Sequence, residues 1–141
     1  MAESNGRRNE YEAMFLVSQA SAADLGGVVD HVQGLLDRAG AEVIAMRKWD
    51  ERRLAYEIDK QKRGTFLLVY FEAETSRLAG LERDCNLSDV LLRTMVTRAD
   101  HLTREEMQAA DARDELKTEI ELRQSKAEAE RAESEAGAGA G

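Results

Sequence analysis

The chain has 141 residues, no proline, 5% aromatic and 34% charged side chains, and a formal net charge of −8, which suits one domain with an appendage and a core of Leu, Val, Ile, Ala and Met. No apolar run approaches the roughly 18–20 residues that span a bilayer, the polar start MAESNGRRNE has no signal-peptide core, and the single Cys85 leaves no internal disulfide or cysteine zinc cluster, so a reducing, cytoplasmic setting is expected. The acidity argues against nucleic acid only at face value, because it is uneven: residues 1–99 carry 14 basic and 16 acidic groups, residues 100–141 carry 6 and 12.

Residues 1–9 are polar and expected to be mobile. Tyr11–Val17 (YEAMFLV) predicts a strand. Ser21 to Asp24 is a variant capping box that opens a helix, with Leu25, Val28, Val29, Val32, Leu35 and Leu36 on one stripe. Gly26, Gly27 and Gly34 each weaken that helix by up to about 1 kcal/mol relative to alanine, so packing must hold it. Ala39-Gly40 is a stop signal. Ala41–Ile58 predicts a long strand, with Trp49-Asp50-Glu51 breaking its alternation as a bulge would. Lys60–Gly64 predicts a turn, and Thr65–Glu72 (TFLLVYFE) the strongest strand of the chain. Thr75 or Ser76 opens a second helix, with Leu78, Leu81 and Cys85 on one face. Val90–Thr97 predicts the last strand.

The order β-α-β-β-α-β predicts an α+β, ferredoxin-like domain over residues 10–100: a four-stranded antiparallel sheet with two helices on one face. Both alternating sets of the first strand and of Thr65–Glu72 are apolar, and one helix layer buries only one set. The other set is either shielded by the tail or docks a partner; its adjacency across two strands favours the partner.

Residues 101–135 predict a charged helical extension. Thr103 and Glu106 form a capping box, and Leu102 staples onto Met107. Beyond them Leu116, Ile120 and Leu122 keep no heptad, so a solvated, fraying helix is expected, with Glu119 and Arg123 paired across one turn. Its charge would turn it away from nucleic acid, and its removal would leave RNA binding intact or tighter. Residues 136–141 (AGAGAG) are expected to be disordered.

No catalytic constellation is visible. His31 and His101 read as exposed helix residues outside any metal or triad spacing, and Cys85 as a small core residue. There is no Walker loop, GxSxG or HExxH. No enzyme activity, cofactor or metal is expected; a small acyl-phosphate hydrolase would rest on fold analogy alone. The basic groups say more. Residues 44–63 hold seven basic against four acidic residues, with Trp49 and Tyr56 interleaved. Arg7 and Arg8 precede Tyr11, and Arg93 and Arg98 lie on the last strand. Guanidinium groups beside rings suit RNA phosphates and unpaired bases; charged edge strands that resist aggregation are an equal reading. The string RGTFLLVYF approaches the first motif of RNA-recognition domains, but Thr65 stands where an aromatic should stack and Phe66 where a small residue belongs.

Three strings, NEYEAMFLV, WDERRLAYEIDK and LSDVLLRTMVTR, resemble the bacterial small-subunit ribosomal protein S-six family over residues 9–100. The resemblance implies the same ferredoxin-like fold, no enzyme activity, and binding to the central domain of small-subunit ribosomal RNA together with ribosomal protein S-eighteen, in the cytoplasm, on the ribosome. It implies RNA or partner contacts at Arg8, Tyr11, Arg52, Arg53, Tyr56, Arg93 and Arg98. With Arg7 added as a neighbour of Arg8, and Trp49 for its place at the break in alternation, RNA contacts are expected at Arg7, Arg8, Tyr11, Arg93 and Arg98 and a partner-facing edge at Trp49, Arg52, Arg53 and Tyr56. Glu57 stands where the family usually has proline. A ferredoxin-like interaction or regulatory module with an acidic docking tail is the alternative.

Overall fold

Alternation and a few register shifts set the sheet. A computed structural model of the chain describes residues 7–58 and 61–139, with the side chains of 50–53, 55–58, 61–62 and 137–139 outside that description. Strand β1 (Arg8–Ser18) leads through a short helix α1 (Gln19–Ala22) into α2 (Leu25–Arg38); β2 (Glu42–Ile58) and β3 (Gln61–Glu74) follow. A 3-10 turn (Thr75–Arg77) then leads into α3 (Leu78–Asn86) and β4 (Leu91–Arg98), and the chain ends with α4 (Arg104–Ala109) and α5 (Arg113–Gly139). The sheet order is β2-β3-β1-β4, every neighbour antiparallel. This is the ferredoxin-like arrangement expected from the element order.

Tyr11, Ala13, Phe15 and Val17 of β1 share one face with Leu67, Val69 and Phe71 of β3, and bury against Leu25, Val28, Val32, Leu35 and Leu36 of α2 and Leu81 and Cys85 of α3. The helical stripe is the one the spacing predicts. Its cap is not: the Asp24 carboxylate accepts from the Gly27 N–H, whereas Ser18 caps α1 through the Ser21 N–H. Ser21 therefore stands inside a separate first turn. Gly40, at φ 67°, lies just past the end of α2.

One further expectation is corrected. Gln61 to Gly64 belong to β3 rather than to a turn, with Gly64 opposite both Ser18 and Arg52; residues 59 and 60, including Lys60, lie outside the described residues. β2 shifts register between Lys48 and Asp50, so the break at Trp49 is real, and again between Val43 and Ala45.

The larger correction concerns the tail, which is packed rather than solvated over its first half. The Thr103–Glu106 capping box forms as the sequence implies. It starts a helix whose Met107, 0% exposed, enters the sheet face opposite α2 and α3 among Ile44, Leu68, Tyr70 and Ala99. Burying such a side chain is worth about 1.5–3 kcal/mol. The chain then rounds the β2 edge. Asp111 Oδ1 accepts from the Met46 N–H at 3.0 Å, and the Ala112 N–H donates to Met46 C=O at 3.0 Å. These bonds satisfy edge groups that would otherwise be open to another strand.

α5 continues on the helix side. Leu116 joins the main core with Ile120 beside it, and Arg123 donates to Ala22 C=O at 3.0 Å. A Cβ on Gly26 would stand 3.1 Å from Ile120 Cγ2; the glycine that weakens α2 is where α5 comes close. From Ser125 to Ala136 the helix is exposed, and it continues to Gly139, into the segment for which the sequence implies disorder.

Candidate nucleic-acid and partner interface

The open face of the sheet divides into two halves. One half is closed by the tail. Met107 fills its centre, and Arg104 clamps its end, 2.9 Å from Glu10, 3.4 Å from Glu72 and 3.6 Å from Glu42. Of the two readings of the apolar face, shielding by the tail holds for this half, where α4 covers it within the chain.

The other half stays open. Leu16 of β1 lies between Phe66 of β3 and Arg93 of β4, and Met95 of β4 stands opposite Met14, at the border with the Met107 cluster. Trp49 packs edge-on against Phe66, ring centroids 5.9 Å apart. Trp49 is 44% and Met95 60% exposed. Arg47 and Arg93 are exposed beside them and have no carboxylate in ion-pair contact among the described residues. An apolar and aromatic patch rimmed by unpaired guanidinium groups can dock an apolar surface and hold phosphate at once.

The other sequence-derived site residues fall in different settings. Arg7 is exposed at the start of β1. Arg8 donates to Glu72 at 2.8 Å. That hydrogen bond, aided by the Arg8 and Arg104 charges against the cost of burial, holds the Glu72 carboxyl below the usual range. Arg98 pairs with Asp100 at 3.0 Å. Tyr11 is 5% exposed with its ring stacked on Phe71, 5.5 Å between centroids; both ring and core position come from strand alternation, and its hydroxyl reaches Thr75 at 3.2 Å. Arg52, Arg53 and Tyr56 belong to β2, but their side chains lie outside the described residues. Lys48 is engaged by Glu119 of α5 at 2.6 Å.

Among the described residues no catalytic arrangement emerges. Cys85 is buried, and burial pushes its thiol pKa up, which disfavours the reactive thiolate. His31 is half-buried rather than exposed, its Nε2 2.7 Å from Ser88 Oγ, so it joins α2 to the turn after α3. Among the described residues no group of three or more His, Cys, Asp or Glu is placed to hold a metal, and no helix is long and apolar enough to cross a membrane. The sequence reading missed Arg104 as a clamp. The staple and capping box that frame it were legible, but the target of Met107 was not.

A family model described as "Ribosomal protein S6" matches residues 10–98. The chain belongs to the ribosomal protein S6 family. Small ribosomal subunit protein bS6 of Rhodopirellula baltica is 38% identical over 93 residues, covering 65% of this chain and 66% of that protein. The bS6 protein of Heliobacterium modesticaldum is 38% identical over 92 residues, covering 64% of this chain and 96% of its own. The fold of the family is that of the structure: the crystal structure of 30S ribosomal protein S6 from Thermotoga maritima superposes with a TM-score of 0.62, at 23% identity, over 73% of this chain and 98% of that one. The family is one of structural ribosomal proteins, not of enzymes. The matched segment stops at residue 98, so the S6 family match does not reach Arg104, Met107 or α5.

Proposed function

We propose that this S6-family chain is a structural component of the bacterial small ribosomal subunit, in the cytoplasm, that binds the central domain of small-subunit ribosomal RNA together with ribosomal protein S-eighteen. Family membership supports the ribosomal role. The observation that carries the two-partner reading is the uncovered half of the sheet, where Trp49, Phe66 and Met95 stand beside the unpaired Arg47 and Arg93. The apolar part docks the protein partner, with Arg52, Arg53 and Tyr56 further along the same strand extending that edge. Arg7 and Arg93 neutralise phosphate directly, Arg8 and Arg98 by exchanging Glu72 and Asp100 for it, and Tyr11 fixes the strand that begins at Arg8.

A chain with net −2 over residues 1–99 should hold RNA weakly by itself. Fluorescence anisotropy with a central-domain RNA fragment should therefore show tight, salt-dependent binding only when S-eighteen is present. Trp49→Ala with Met95→Ser should weaken the pairing with S-eighteen by about tenfold or more, as loss of a half-buried aromatic anchor does. Unchanged pairing would remove the patch from the partner interface.

A further inference from the structure

The carboxylates of this acidic chain are not spread evenly over its arginines. Arg8, Arg98, Arg104 and Arg123 are held by carboxylates, and Lys48 by Glu119. Apart from Arg47 and Arg93 on the sheet face, loosely held arginines gather around α3. Arg38 at the end of α2, and Arg77 and Arg83 at the start and within α3, line one open groove of about 360 Å³ with Ser76, Gly80 and Leu81. Asp84 is its only acidic lining residue, and it bonds Arg38 through one nitrogen at 3.2 Å while that side chain stays 71% exposed. Arg77 and Arg83 have no carboxylate in ion-pair contact among the described residues. The first turn of α3 holds no acidic residue and its N-cap makes no side-chain bond, so the end of the helix adds to the positive field. A Cβ on Gly80 would meet nothing within 4 Å, which leaves the floor of the groove accessible.

We infer that this groove is a second phosphate-binding surface, on the face opposite the sheet patch, and that its ligand is the sugar-phosphate backbone of structured RNA. Three guanidinium groups lining one groove suit a polyanion better than an apolar partner, and Arg holds phosphate by paired N–H bonds. The acidic tail does not oppose it. Ile120 lies against Gly26 and the later Arg123 donates to Ala22 C=O, so α5 runs toward the N-terminal end of α2, away from Arg38. With one basic surface on each side of the sandwich, the domain would bridge two RNA segments.

The inference rests on the RNA reading above, and the test separates the two. The probe is the central-domain RNA fragment with S-eighteen present, and the readout is the slope of log affinity against log salt. Each phosphate contact contributes roughly 0.7–0.9 to that slope, so Arg77→Gln with Arg83→Gln should flatten it by about 1.5 and lower affinity several-fold at low salt. Lys126→Gln with Arg131→Gln, on the exposed stretch of α5, makes the same change in net charge and should alter neither. Melting curves of both variants should match the parent, since all four side chains are exposed. An unchanged slope for the Arg77/Arg83 variant, or an equal change in both variants, overturns the second surface while leaving the RNA reading intact. No RNA binding by the parent protein overturns both.

Discussion

Met107 is the residue at which sequence and structure part most clearly. Its partner in the staple, Leu102, was legible five positions away, because capping motifs are local. That it would be 0% exposed against Ile44, Leu68 and Tyr70 was not, because those contacts join residues up to 63 positions apart. Met107→Ala should therefore cost about 2–5 kcal/mol, the range for emptying a buried methionine site. Leu122→Ala, at a side chain 65% exposed, should stay within about 0.5 kcal/mol. Urea unfolding of the two variants checks this, and equal losses would mean that α4 is not part of the core. Tyr11 gives the reverse lesson. Its neighbouring arginines invited a base-stacking role, but alternation alone puts it on the buried set with Ala13 and Phe15, where Phe71 covers its ring.

Among the elements, the strap formed by α4, the Asp111–Ala112 link and α5 is fastened by charge as well as by packing. Burial would raise the Glu119 pKa, but hydrogen bonds and charges from Lys48 and Arg123 more than offset that and leave it lowered. Glu72 is lowered too, chiefly by its bond from Arg8. A carboxyl whose folded pKa lies below its unfolded value favours folding when ionised. Its contribution is full above the ordinary carboxylate value of 4.5 and is lost as pH falls through the lowered, folded value. Stability should be level from about pH 8 to pH 5 and fall below about pH 4.5. Glu119→Gln should remove part of that fall, since Glu72 still titrates. Urea midpoints at neutral and acidic pH measure it; an identical pH dependence in parent and variant would show that the Lys48–Glu119 pair does not fasten the strap.

At the scale of the whole molecule, the tail changes what counts as the domain. Truncation after residue 100 removes Met107 and Leu116 from two buried clusters and frees the Met46 edge groups. Thermal melting should show a loss of many degrees for that truncation. Removal of residues 125–141, which are exposed where their side chains are described, should shift the melting point by no more than about 2 °C. Similar melting of the short and full chains would restore the detachable tail that composition suggests. The strap also confines the candidate interface. The face that looked uniformly apolar in the sequence is half occupied in cis, and only the half around Trp49 remains for a partner.

The sequence by itself determined the βαββαβ order, the stripes of α2 and α3, the break at Trp49, the cap of α4 and, through three strings, the ribosomal family. All of these are local or periodic signals, readable because a helix repeats every 3.6 residues and a strand every two. Only the tertiary structure decided which face of the sheet the tail covers, which arginines are consumed by carboxylates, and that Arg38, Arg77 and Arg83 meet at one groove. Those outcomes depend on contacts between residues far apart in the chain. Spacing says nothing about them, because folding chooses among many apolar surfaces and many opposite charges the few that pack without leaving a buried group unpaired.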